Sequence, residues 1–168
     1  MKLVAVDPGN EKSAYVVMEG KSILDFGHVE NADLVNRLRR NMPDAKLLAI
    51  EMVASYGMPV GETTFETVLW IGRFIQVWDG DHVKVYRKRR GECESVGMHL
   101  CKSTRAKDAN IRQAIIDRYE PSGGGKVPQV GTKKQPGPLF GVSTHIWAAI
   151  GVGITAMETR FDERVTTM

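Results

Sequence analysis

The chain has 168 residues, 42% of them hydrophobic and 26% charged, with a net charge of +3. That length suits one domain with a real core, and the composition excludes a disordered, collagen-like or disulfide-stapled chain. The most apolar run, residues 146–157, is too short to span a bilayer, no signal peptide is apparent, and Cys93 and Cys101 form no CxxC pair, so a cytoplasmic protein with free thiols and no membrane partner is expected.

Three short strands come first, over residues 2–7, 13–18 and 22–27, separated by the turn sequences PGNEK and EGK. Connections that short make the strands antiparallel. A helix over about 32–40 follows, with Asn31 as its N-cap and Leu34, Val35 and Leu38 as its apolar stripe. Pro43 closes it. The next strand, 47–51, follows a helical crossover and therefore pairs in parallel. The loop VASYGMPVG leads into a long helix over 62–77 that is apolar across a wide arc. A fifth strand, 82–87, precedes a helical segment containing Met98 and Leu100 and then a helix over 108–119, where Asp108 suits the positive end of the helix dipole. Residues 121–141, rich in Pro, Gly and Lys, lack periodicity and read as a mobile loop. A last helix starts at Ser143 or Thr144 and runs to about Arg160. Residues 1–168 form a single domain with no internal repeat.

Two acids end buried strands: Asp7 closes KLVAVD and Glu51 closes LLAIE. The carboxyl edge of a sheet is where open α/β folds build their sites. Two carboxylates side by side repel, and a cation relieves the repulsion. A metal-dependent enzyme is therefore expected. Taken alone, Asp7 before Pro-Gly is equally a turn former; Glu51 and the strand order favour the metal. Between residues 84 and 112 there are nine Lys or Arg and three acids, the footprint of phosphate contacts. Its YRKRRGE run reads either as a DNA contact or as a solvated strand end. His28, His82 and His99 show no ligand spacing and read as structural or exposed.

The order β-β-β-α-β-α-β, with Asp on the first strand and a carboxylate on the fourth, resembles the RNase H-like fold, an α/β architecture with a five-stranded mixed sheet flanked by helices. Within that superfamily, VAVDPGN, LLAIE, RAKDANIRQAIIDRY and PGPLFGVSTHIWAAIGVGITA resemble the RuvC-type Holliday junction resolvases, most closely their phage branch. The resemblance implies a structure-selective endonuclease that hydrolyses phosphodiesters in four-way junctions or other branched DNA. It implies two Mg²⁺ or Mn²⁺ ions held by Asp7, Glu51 and His145, with Lys107 as a catalytic cation at the scissile phosphate, though a lysine there is equally a surface residue. In the family, two ligands spaced i and i+3 open the last helix. His145 falls on the first and Ala148 on the second, where the family normally places an aspartate. That departure leaves a second expectation open, a branched-DNA binding protein with weak or no catalysis, unless Asp108 substitutes. DNA contacts are expected at Lys88, Arg89, Arg90, Arg105, Lys133 and Lys134, with Tyr56 or Met58 in place of the family's wedge near Ala54. Symmetric cutting of two strands implies a homodimer. Trp70, Phe74 and Trp78 of the long helix are interface candidates, and equally ordinary core. An actin- or Hsp70-like nucleotide site would need a second half that 168 residues do not supply.

Overall fold

Alternation along the first strand sorts the molecule into layers. Leu3 and Ala5 face one side of the sheet, Val4 and Val6 the other, and all four are fully buried. A strand buried on both faces needs helices on both, and the rest of the chain supplies them. The computed structural model describes residues 1–40, 42, 44–54, 57–87 and 95–163. Its elements are β1 (Lys2–Asp7), β2 (Lys12–Glu19), β3 (Ser22–Glu30), α1 (Asn31–Arg39), β4 (Leu47–Met52), α2 (Glu62–Val77), β5 (His82–Arg87), α3 (Val96–Cys101), α4 (Asp108–Ile116) and α5 (Thr144–Glu163). The sheet runs β3-β2-β1-β4-β5. β1, β2 and β3 are antiparallel neighbours, whereas β1, β4 and β5 are parallel. This is the expected five-stranded mixed sheet. Val4, Val6, Tyr15, Val17, Leu48 and Ile50 pack under α1 and α2. Leu3, Ala5, Val16, Met18, Leu47 and Ala49 pack under α3, α4 and α5.

β2 and β4 each run slightly past expectation, to 12–19 and 47–52, and three further boundaries differ. β3 runs on to Glu30, three residues past Gly27, because an edge strand keeps its ladder even where its side chains turn polar. Asn31 is the first helical residue of α1 and Glu30 precedes it as the cap. α4 stops at Ile116, and residues 117–119 turn back toward the core.

The segment 121–141, expected as a mobile loop, is closed by its own backbone. Gly123, Gly124, Gly137 and Leu139 donate to Pro128, Gln135, Val130 and Gln129. Three glycines let the strands of this loop touch: a Cβ on Gly123, Gly131 or Gly137 would lie 2.8 Å or less from neighbouring backbone. Lack of periodicity is therefore not lack of order here. Leu139 is fully buried and anchors the loop to the core.

α5 lies close on α3, α4 and the sheet because two of its residues have no side chain. Gly151 faces Val96, Leu100 and Ile111 of α3 and α4, and Gly153 faces Met18, Ala5 and Leu3 of the strands. Among the described residues no helix is long and apolar enough to cross a membrane.

Candidate active site

The strand register gathers the chemistry on one level of the sheet. Asp7 pairs with Ala14, Ala14 pairs with His28, and Glu51 pairs with Tyr86. β1 and β4 are in register through Val6 and Ile50, so the next residues along, Asp7 and Glu51, are neighbours. Directly paired residues share a face, so one row runs His28–Ala14–Asp7–Glu51–Tyr86 across all five strands. It lies at the carboxyl ends of β1, β4 and β5, on the face that α5 covers.

α5 begins above that row. His145, in its first turn, places Nδ1 3.2 Å from Oδ2 of Asp7. The His145 side chain is 64% exposed and that of Asp7 16%. Glu51 is deeper, 5% exposed. Thr144, just before His145, has φ of +35°, a region a β-branched residue rarely adopts.

A buried network locks the turn that follows Asp7. Gly9 N–H donates to Ser13 Oγ at 3.1 Å, and Ser13 donates in turn to Asn31 Oδ1 at 2.6 Å. Asn31 Nδ2 donates to the Gly9 carbonyl at 2.9 Å, and its backbone N–H donates to the Glu11 carbonyl. The network satisfies the polar atoms of the turn without water and pins the end of β1. Sequence reasoning gave Ser13 no role and Asn31 only that of a cap. Their signal was faint, two polar residues flanking an apolar strand.

His28 was the larger omission. Its ring lies 5.1 Å from that of His145, centroid to centroid, with the planes at 43°. Partial burial, and then the charges of His145 and Lys12, hold its imidazole below the ordinary range against the pull of Asp7 and Glu30. Had the third strand been carried past Gly27, the alternation Phe26-x-His28 would have put His28 on the α5 face.

Other expected site residues are spread more widely. Lys107 is exposed at the N-terminus of α4, where its backbone N–H donates to Oδ1 of Asn110 at 3.0 Å. Arg105, Asp108, Lys133 and Lys134 are exposed. Met58 is 71% exposed beyond β4. Ala148 is half-buried one turn past His145 and offers no donor. Lys88, Arg89, Arg90 and Tyr56 lie outside the described residues.

Two adjacent carboxylates and an imidazole are donors of the right kind for a divalent cation. Mg²⁺ needs only one or two protein carboxylates beside its waters, which Asp7 and Glu51 supply; the imidazole suits Mn²⁺ better than Mg²⁺. Among the described residues, no three His, Cys, Asp or Glu side chains gather closely enough to hold an ion as they stand.

The interface aromatics need correction. Phe74 and Trp78 are 0% and 8% exposed and belong to the core with Ile71. Trp70 is half-buried and stacks on Phe74 at 6.1 Å. The stripe Thr67–Ile71–Phe74–Trp78 faces the sheet, and the apolar surplus of α2 emerges elsewhere, at Phe65, Val68 and Leu69, which are 65%, 42% and 57% exposed.

No protein-family model matches the sequence, and no curated protein matches it significantly. Solved structures do. A Thermus thermophilus RuvC structure aligns over 96% of this chain and 97% of its own, with a TM-score of 0.61 and 17% identity. T. thermophilus RuvC in complex with a Holliday junction substrate aligns over 96% of each chain, with a TM-score of 0.65 and 16% identity. The chain has the RuvC form of the RNase H-like fold.

Proposed function

We propose that this chain, built on the RuvC fold, is a metal-dependent, structure-selective endonuclease that hydrolyses phosphodiesters at four-way DNA junctions. The observation that carries the reading is the row at the sheet edge, where Asp7 and Glu51 are neighbours and His145 reaches Asp7 at 3.2 Å. The similar T. thermophilus protein, whose structure holds a Holliday junction substrate, supports the choice of DNA. Two Mg²⁺ or Mn²⁺ ions, held by Asp7, Glu51 and His145, would supply the Lewis acidity for phosphodiester hydrolysis. Asp7 and Glu51 bring the negative charge that attracts such ions, and buried Glu51 has less water to screen it than Asp7. His145 brings a nitrogen donor from the opposite layer. Lys107, Arg105, Lys133 and Lys134 are exposed cations for the phosphate backbone, joined in this proposal by Lys88, Arg89 and Arg90, with Tyr56 as the wedge. The partner copy for a symmetric cut docks on the Phe65–Val68–Leu69 face of α2, which is exposed and apolar.

The test is cleavage of a synthetic four-way junction in Mg²⁺ and in Mn²⁺, beside an Asp7→Asn control. Paired nicks that vanish in the control are expected. Junction binding without nicks in either metal rejects the nuclease. Ala148, and the lack of a ready three-ligand cluster among the described residues, favour the second reading in that event: a branched-DNA binding protein. Ala148→Asp then gains activity if the missing carboxylate is the limitation, and stays silent if it is not.

A further inference from the structure

We propose that His28 is a positioning residue for His145: it holds that imidazole with Nδ1 on Asp7 and Nε2 turned outward. The proposal rests on the nuclease reading above and adds to it a residue from the edge strand.

His145 needs holding. Its side chain is 64% exposed, and an exposed side chain samples several rotamers unless contacts oppose that freedom. The hydrogen bond to Asp7 fixes one ring atom and leaves the ring free to pivot about the N···O line. A second contact against the ring removes that pivot. His28 supplies it, with ring centres 5.1 Å apart, inside the range of packed aromatic pairs. The sheet makes the contact possible. Asp7 and His28 stand two strands apart in one row, about 10 Å, with Ala14 between them. The Ala14 side chain is a single methyl and fully buried, so the space above it is left to His145, which touches both ends of the gap. Backbone geometry favours the same conclusion: Thr144 is held at a positive φ directly before His145, and such outliers persist where surrounding contacts over-determine them.

The consequence is chemical. An ionised Asp7 can only accept, so Nδ1 carries the hydrogen, and in the neutral ring the lone pair of His145 is then on Nε2, which points away from Asp7. A partner of this kind fixes both tautomer and ring orientation. A phenylalanine in place of His28 would keep the ring contact and lose only the nitrogens.

His28 is exposed, so its variants keep the core intact. Full-length His28→Ala and His28→Phe are compared with the parent in three measurements: junction nicking in Mn²⁺, calorimetric titration of Mn²⁺ alone into the free protein, and ring NMR of His145. We expect His28→Ala to lower kcat about tenfold with KM for the junction unchanged, and to weaken Mn²⁺ binding about tenfold. It should also replace the single Nδ1–H tautomer of His145 by a mixture. His28→Phe should restore all three to within about threefold. A His28→Ala chain equal to the parent throughout overturns the proposal. So does a His28→Phe chain as impaired as the alanine, because the nitrogens and not the ring contact would then matter. A parent chain that neither nicks nor binds Mn²⁺ defeats the nuclease reading instead, and the His145 tautomer in the two variants still decides whether His28 positions it.

Discussion

Gly9 has room for a hydrogen and nothing larger: a Cβ there would lie 2.3 Å from the Lys12 carbonyl oxygen. Gly9→Ala should therefore open the Ser13–Asn31 network and displace Asp7, costing about 1–3 kcal/mol in urea melts as buried polar groups lose partners. Unchanged stability would show that the network does not pin the turn. Tyr119 is the opposite case, a buried hydroxyl with no partner among the described residues. Tyr119→Phe should leave stability equal or raise it by up to about 1 kcal/mol; a marked loss would mean the hydroxyl is satisfied. Burial pushes the Tyr119 phenol up to about 12. Tyr15 is likewise pushed up to about 12, by burial and then by its hydrogen bond to Asp25. Both phenols titrate higher in the folded chain than in the unfolded one. Their contribution is complete below pH 10 and is lost as pH rises through about 12. Tyr119→Phe should make that alkaline loss shallower. At this scale the sequence disclosed the charged residues and little of their support. Asp7 and Glu51 were legible because each ends an apolar run, and His145 through the resemblance of its helix. His28 and Ser13 were not, because a histidine past an apparent strand end and a serine in a turn look alike whether or not they meet a site.

Elements were legible wherever apolar side chains recur. β1, β5 and α2 fall at their expected bounds and β4 runs one residue further, to Met52, since each buries a face and the burial writes a period into the chain. Edge positions carry no such period, which is why β3 was cut short at Gly27. The loop 121–141 is the extreme instance: its order comes from glycines that bring backbone against backbone, and absent side chains leave no pattern. The structure makes this loop a testable unit. Gly131 has φ of +78° and a Cβ there would lie 2.2 Å from the Gly137 nitrogen, so Gly131→Ala should release the loop. Trypsin at native pH should then cut at Lys133 or Lys134 at least about tenfold faster than in the parent, as the locally open population grows. Equal cutting rates would show that the loop was open from the start.

For the molecule as a whole, the proposed function makes the exposed α2 face the surface that sets how many copies act together. Leu69→Asp should turn a dimer into a monomer in analytical ultracentrifugation with the melting temperature unchanged, because Leu69 is 57% exposed and the fold does not depend on it. On a four-way junction, the paired cuts should become single nicks. A parent chain that sediments as a monomer at micromolar concentration would remove the dimer from the proposal. The sequence foretold that α2 has apolar surface to spare and left open whether its aromatics belonged to an interface or to the core. The wide apolar arc hid the direction of the core, and only the packing of Ile71, Phe74 and Trp78 under the sheet revealed it.

Gly153 sits about 12 Å along α5 from His145, at 1.5 Å per residue. A methyl there would meet Met18 Sδ at 2.6 Å and the Ala5 Cβ at 3.3 Å. The helix thus rests on the sheet like a lever on its fulcrum, with the His145 imidazole at the far end of the arm. Small adjustments at the bearing are magnified at the tip. A carbon added at Gly153, two turns from His145, should therefore shift how near that imidazole comes to Asp7.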